Sequence, residues 1–191
     1  MVRGTFSPAR AWRPAVVARL ARTLGVTGAT LFALVPMKEG DFPAFFEAAV
    51  ESYTKNNVAG GRWNAADAPA LAREETQRLL PQNERTADNR LFVLEDKDRE
   101  AEVGYLWFGT MTRGTKKVAY LYQLHVHAQF RRKGYGHQAM RAFEREAHAS
   151  GHDALALTVF AANSGAHRLY ESVGYRASSI VMRKELRPSD A

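Results

Sequence analysis

Short apolar runs alternate with longer amphipathic stretches along most of the chain. Runs with the length and composition of β-strands lie at residues 30–37, 91–95, 102–109, 117–127, 154–160 and 175–185. Stretches with helical spacing lie at residues 41–55, 67–80, 138–149 and from 163 or 164 to just before 174. The pattern predicts the order β-α-α-β-β-β-α-β-α-β, with no internal repeat and no interdomain linker.

Residues that commonly begin and end helices support these assignments. Asp41 and Asp67 stand where an N-cap is expected, and each is followed two residues later by a proline. Pro81 is expected to stop the second helix, and Gly151 is expected to follow the third.

The composition is that of an ordinary globular protein. Of 191 residues, 46% are hydrophobic and 25% are charged, and no apolar run has the length that crosses a bilayer. We therefore expect a cytoplasmic protein without a membrane partner. The chain has no cysteine, which excludes disulfides, a thiolate nucleophile and a cysteine-ligated metal. No carboxylate joins the histidines at ligand spacing, so no metal site is predicted.

Positive charge is concentrated near the start of the chain. The net charge is +7, and residues 1–30 hold five arginines and no acid. Because the remainder is nearly balanced, a nucleic-acid partner is not expected. We interpret residues 1–29 as a basic extension, residues 30–186 as one domain and residues 187–191 as a short tail. The extension could be loosely docked or disordered, a targeting peptide or the product of an upstream start; its single serine argues against targeting.

A basic, glycine-containing segment joins a predicted strand to a predicted helix and suggests an anion site. The first N–H groups of a helix have no partner within the helix and carry partial positive charge. Glycines let a diphosphate approach the backbone, and three cations in a row add a field of the right sign. Taken alone, such a segment could equally be a tight turn. Its residues are Arg131, Arg132, Lys133, Gly134, Tyr135 and Gly136.

A second motif downstream decides between these interpretations. Residues 163–175 read Asn-x-x-Ala-x-x-Leu-Tyr-x-x-x-Gly-Tyr. Together with Arg131, Gly134 and Gly136 at this separation, the motif resembles the GNAT superfamily of acyl-CoA N-acyltransferases. The resemblance covers residues 30–186, and within the superfamily the chain looks like a small bacterial acetyltransferase of unassigned substrate.

The resemblance implies both a fold and an activity. The fold is of the mixed α/β (α+β) type, with a mixed, mostly antiparallel sheet and helices on both faces. The activity is N-acetyl transfer, with acetyl-CoA as co-substrate and an amine as acceptor, by direct attack on the thioester. The alternative is a module that binds acyl-CoA as a sensor or scaffold with little turnover. A homodimer formed through the last strands is common in the superfamily.

The resemblance also assigns roles to residues. The backbone amides of residues 131–136 are expected to hold the diphosphate, while the side chains of Arg132 and Lys133 could reach phosphates or remain solvated. The pantetheine arm is expected to pair with the main chain of Leu124, His125 and Val126, whose apolar side chains could also simply pack in the core. Asn163 is expected to cap a helix and bond the pantetheine. Tyr170, which lies on the same helix face, is the expected general acid, with a core tyrosine as the alternative.

The general base is the part of the mechanism that the sequence leaves open. Residues 118–130 contain no Asp or Glu, and Gln123 stands where a relative could carry an acid. An amide cannot accept a proton at neutral pH, whereas His125 has a suitable ordinary pKa but could face the wrong side. Our hypothesis is that this strand holds no single essential base. The other candidates are Glu51, Glu74, Glu75 and Glu102.

The acceptor pocket is expected between the first two helices. Its candidate lining residues are Tyr53, Trp63 and Trp107, and ordinary packing is the alternative for each of them. The identity of the acceptor amine stays open.

Overall fold

A five-stranded mixed sheet organises residues 32–184, the part of the chain that the computed structural model describes. Neighbouring strands follow chain order and are antiparallel, except that the last pair is parallel. The strands are β1 (Phe32–Pro36), β2 (Asn89–Asp96), β3 (Ala101–Arg113), β4 (Lys116–Val126) and β5 (Ala154–Leu157).

Four α-helices connect and cover this sheet. They are α1 (Phe42–Ala59), α2 (Ala68–Leu79), α3 (Tyr135–Ala149) and α4 (Ser164–Ser172). Two short 3₁₀ turns lie at Asn83–Arg85 and Ala128–Phe130. Among the described helices, none is both long and apolar enough to cross a membrane.

The alternation of side chains along β3 builds a core on each face of the sheet. Tyr105 and Trp107 pack with the aromatic residues of α1 on one face. Leu106 and Phe108 pack with Phe143 of α3 on the other. Successive strand residues point to opposite faces, so one strand serves both cores. The predicted arrangement, with helices on both faces of a mixed sheet, is confirmed.

The helix-start predictions are correct in position and wrong in detail. Pro43 lies in the first turn of α1, but the carboxylate of Asp41 makes no cap bond to the helix and instead accepts from the Lys38 N–H at 2.9 Å. Asp67 likewise does not cap α2, and its carboxylate bonds Asn64 at 2.6 Å. Both residues stabilise the turn before the helix rather than the helix itself. Helix α3 begins at Tyr135, three residues earlier than predicted.

The sixth predicted strand is absent from the described residues. Residues 175–184 form no strand, and Ile180, Val181 and Met182 are 80%, 97% and 90% exposed. A strand requires a hydrogen-bonded partner, which apolar composition cannot specify. The fifth predicted strand ends at Leu157 instead of residue 160. The predicted extension 1–29 and tail 187–191 lie outside the described residues.

Candidate functional site

β4 extends well beyond the end of its pairing with β5. Their parallel pairing runs only from Val118 and Ala154 to Leu121 and Leu157, whereas β4 continues to Val126. A bulge opposite β3 begins the separation, because Trp107 pairs with Gln123 and the next residue of β3 pairs with Leu121. Beyond Leu121 the β5-facing edge of β4 has no strand partner among the described residues. That edge offers main-chain donors and acceptors to an extended ligand.

The side chains at this end of β4 alternate between the two faces. Leu124 and Val126 pack against the core under α3, so the packing role considered for them holds for the side chains and leaves their main chain available. His125 lies on the opposite face, where its ring is 6.4 Å from Tyr105 and 5.4 Å from His127.

The segment after β4 turns sharply into α3. Arg132 has φ +61°, and Gly134, the residue before the helix, has φ +87°. A Cβ at position 134 would meet nothing within 4 Å. The left-handed backbone, and not a lack of space, is therefore what favours glycine there. The first N–H groups of α3 follow immediately and lack helical partners. This corner therefore presents main-chain N–H groups of the kind that the predicted anion site requires, and anion binding here stays a prediction.

Gly136 meets a different requirement from the one expected. A Cβ at this position would lie 3.0 Å from Cδ2 of Leu169 on α4. Its missing side chain therefore makes room for the second motif as well as for a ligand. The two sequence motifs touch here, and this contact sets the spacing between α3 and α4.

The basic side chains of the corner differ in position. Arg131 donates from Nε to the carbonyl of Val126 at 2.8 Å, which ties the turn to the end of β4. The ammonium of Lys133 lies 5.8 Å from the centre of the Phe130 ring. Arg132 and Lys133 are exposed. Their charges face solvent near the start of α3, where an anion would lie.

Tyr135 anchors the corner through its side chain. The side chain is buried, and its hydroxyl donates to the carboxylate of Asp96, the last residue of β2, at 2.5 Å. Arg99 donates to the same carboxylate at 2.5 Å. Burial acts to raise the pKa of Asp96, but the hydrogen bonds from Tyr135 and Arg99 outweigh it and hold the pKa below its usual value. A buried carboxylate thus fixes the first residue of α3.

Helix α4 carries the two residues predicted from the second motif. Asn163 caps the helix, since its Oδ1 accepts from the Ala166 N–H at 3.1 Å, as expected. Tyr170 lies two turns later, and its hydroxyl has no hydrogen-bond partner within residues 32–184. Burial raises the pKa of Tyr170 to about 12, so the phenol keeps its proton at neutral pH.

A cavity of about 320 Å³ joins these elements. Leu124, Asn163 and Tyr170 line it, as do Tyr53 and Trp107, two of the residues expected to surround the acceptor. Trp63 does not line the cavity and instead packs edge-on against Tyr53, with ring centres 5.2 Å apart. His125, Val126 and residues 131–136 lie outside the lining, along the strand end and the corner.

The model of the acetyltransferase (GNAT) family matches residues 46–175, which is more than half of the chain. This chain belongs to that family. The predicted resemblance is thereby confirmed, and the protein is an acetyltransferase of a family that uses acetyl-CoA as acyl donor.

Relatives of the GNAT protein support the same assignment. The uncharacterized N-acetyltransferase YycN of Bacillus subtilis (strain 168) is 31% identical over 153 residues, which cover 80% of this chain and 97% of YycN. The uncharacterized N-acetyltransferase YdgE of the same organism is 32% identical over 155 residues, covering 81% and 98%. The crystal structure of YycN superposes with a TM-score of 0.78 at 30% identity, covering 82% of this chain and 99% of YycN.

The carboxylates predicted as candidate bases of the GNAT site pair with other side chains or lie outside the cavity. Glu51 pairs with Lys55 on the surface, and Glu102 lies 3.0 Å from His127. Glu75 accepts from the Tyr53 hydroxyl at 2.5 Å, and Glu74 is exposed. Among the described residues that line the cavity, none is a carboxylate. Burial first, and then electrostatic interaction with His127 and Arg131, lowers the pKa of His125.

Sequence reasoning missed three features of this site. The bulge in β4 has no glycine to signal it. The buried Asp96 was not identified, although an Arg three residues later was a usable signal. Arg62 also lines the cavity and was not identified, because a single arginine in a polar loop carries no distinguishing pattern.

Proposed function

We propose that this GNAT protein transfers the acetyl group of acetyl-CoA to the nitrogen of an amine by direct attack on the thioester. The observation that carries the proposal is the shared cavity, in which the unpaired edge of β4 and the hydroxyl-bearing side chain of Tyr170 both form the wall. A thioester laid along that edge would have a proton donor beside its sulfur.

The cofactor would be held mainly by main-chain groups. Its diphosphate would accept hydrogen bonds from residues 131–136 and the first turn of α3, with the charges of Arg132 and Lys133 nearby. The pantetheine arm would pair with Leu124, His125 and Val126 as an added strand. The side-chain amide of Asn163 lines the cavity and could bond the arm, although its Oδ1 already caps α4.

The chemical step requires one attack and two proton transfers, one to the sulfur and one from the nitrogen. The amine nitrogen attacks the carbonyl carbon, and a main-chain N–H near Leu124 stabilises the oxyanion. The carbon–sulfur bond breaks as Tyr170 donates its proton to the leaving sulfur. The proton lost by the new amide nitrogen passes to solvent, from which the tyrosinate is reprotonated. The products are the N-acetyl compound and free coenzyme A.

No essential base is needed if the amine arrives neutral. The cavity lining described here lacks a carboxylate, and His125 is not among the residues that line it. Solvent in the cavity can accept the released proton. This agrees with the hypothesis that β4 holds no single essential base.

The test is release of free thiol from acetyl-CoA against a panel of amines, with Tyr170→Phe beside the wild type. We expect the variant to lose at least about tenfold in kcat while acetyl-CoA binding is kept, because general acid catalysis contributes about 10²–10⁴-fold. Tyr175→Phe is the matched control, since its ring lies 5.9 Å from that of Tyr170. Unchanged turnover in Tyr170→Phe would refute the role.

The absence of a carboxylate from the described cavity lining also favours a second function, an acyl-CoA-binding module with little turnover. Calorimetric binding of acetyl-CoA without product from any amine would support that module. Binding together with thiol release would exclude it.

A further inference from the structure

Three residues that line the cavity have unused capacity to donate hydrogen bonds. The side-chain Nε2 of Gln123 is buried and has no hydrogen-bond partner. Tyr170 also lacks a partner within the described residues. Arg62 is the charged residue among the described lining residues. A cavity of this kind is complementary to a ligand that brings acceptor oxygens.

Arg62 is held loosely by its neighbours. Its Nη1 donates to the Tyr53 hydroxyl at 3.2 Å and to Oδ1 of Asn57 at 3.4 Å. By comparison, the guanidinium of Arg73 on the outer surface bonds both oxygens of Glu47, at 2.7 and 2.9 Å. Guanidinium groups have five donors in a planar fork, so Arg62 retains capacity for a further partner.

Glu75 does not satisfy this arginine. Its closest approach to Arg62 is 3.5 Å, from Oε1 to Nη2, whereas its Oε2 takes the Tyr53 hydroxyl at 2.5 Å. Glu75 thus holds the guanidinium in place through a single long contact. The side chain of Arg62 remains 49% exposed where it lines the cavity.

We propose that the acceptor of this enzyme is a small amino-carboxylate whose carboxylate binds Arg62. A carboxylate matches the fork of the guanidinium, which Glu75 contacts only at 3.5 Å, and it brings a single negative charge. A phosphate would bring a second charge with no further cation in the described lining. Arg62 and Tyr170 line the same cavity of about 320 Å³, which suits an acceptor whose carboxylate and amine belong to one small molecule. This inference rests on the proposed function and names its substrate class.

The test compares matched acceptors in the thiol-release assay. Apolar and aromatic α-amino acids are each paired with the carboxamide and with the amine that lacks the carboxyl group. We expect wild type to prefer the amino acid by at least about tenfold in kcat/KM, and Arg62→Gln to lose about 10- to 100-fold on the amino acid alone. Arg62→Lys should recover part of this preference, because it keeps the charge without the fork.

Arg73→Gln is the control, since it removes a solvent-facing arginine of α2 outside the cavity. It should leave the preference unchanged. The inference would be overturned if wild type had nearly equal kcat/KM for the amino acid and its carboxamide, or if the preference for the amino acid survived in Arg62→Gln. Either result would leave acetyl transfer intact.

A second measurement separates this inference from the proposed function. Ligand-observed NMR compares the binding of N-acetyl amino acids with that of their carboxamides, in wild type and Arg62→Gln. Carboxylate-selective binding that depends on Arg62, without any turnover, would support the inference and contradict the proposed function. Equal binding of the N-acetyl amino acids and their carboxamides, unchanged in Arg62→Gln, would overturn the inference.

Discussion

At the scale of single residues, the site depends on two groups whose surroundings set their protonation. Burial raises the pKa of Tyr170 to about 12, so its phenol stays protonated wherever an amine is available for attack. The pKa of His125 is lowered by burial and by neighbouring basic groups, so its imidazole is neutral at pH 7. The phenol of Tyr170 therefore has a proton to give, whereas His125 is not among the residues that line the cavity.

This difference predicts a particular pH dependence. For wild type, kcat/KM should rise with pH as the acceptor amine loses its proton. We expect no decline in kcat/KM at any pH up to about 10, where an ordinary tyrosine would begin to ionise. His125→Ala should keep the acidic limb, with His127→Ala as control. The measurement is a pH–rate profile of thiol release. Loss of the acidic limb in His125→Ala alone would show that this histidine is the base.

At the scale of elements, the contact between α3 and α4 joins the corner between β4 and α3 to the helix that carries Tyr170. Gly136 and Leu169 set the spacing of the two helices, and Tyr170 follows Leu169 directly. A change in this contact should therefore move the phenol relative to the corner, although neither residue takes part in the chemistry.

Gly136→Val tests that contact. Overpacking costs about 1–3 kcal/mol in the free energy of unfolding, and the displaced α4 should also lower kcat. Gly136→Ala is the matched control, because its Cβ would meet only the flexible tip of Leu169. Chemical denaturation and thiol release measure the two effects. A valine variant as stable and active as wild type would contradict the coupling.

Tyr135→Phe tests the anchor at the start of α3. Removing the hydroxyl deprives the fully buried carboxylate of Asp96 of one of its donors, which should lower the free energy of unfolding by about 1–3 kcal/mol. Acetyl-CoA binding should weaken as the corner loosens, with kcat at saturation largely kept. Tyr120→Phe, which loses a partly exposed bond to Thr158, is the control. Equal effects of the two changes would argue against a special anchor.

The elements were largely predictable because each rests on local information. Alternation located five strands, and the motif at residues 163–175 located α4 and its cap. The strand predicted at 175–185 failed because apolar residues such as Ile180 and Val181 indicate extended structure without indicating a partner. The caps failed because Asp41 and Asp67 could bond either the helix or the turn before it, and local sequence does not distinguish the two.

At the scale of the whole molecule, the site exists where the sheet opens. The pairing of β4 and β5 stops at Leu121 and Leu157, while the cavity is closed on its other sides by α1, α2 and α4. No residue pattern in the sequence indicates such an opening, because the opening arises from contacts between distant segments. Motifs could therefore propose Tyr170 and the corner as candidates, whereas the place of Arg62 in the cavity lining and the position of His125 required the fold. A homodimer through the last strands stays a prediction.

The central claim is that the corner between β4 and α3 holds the diphosphate of acetyl-CoA and places its thioester beside Tyr170. A crystal structure of the protein with coenzyme A tests this most directly. The account predicts diphosphate oxygens on the backbone amides of residues 131–136 and the first turn of α3, with the sulfur at the hydroxyl of Tyr170. A diphosphate bound elsewhere, or a sulfur on the His125 face of β4, would contradict it.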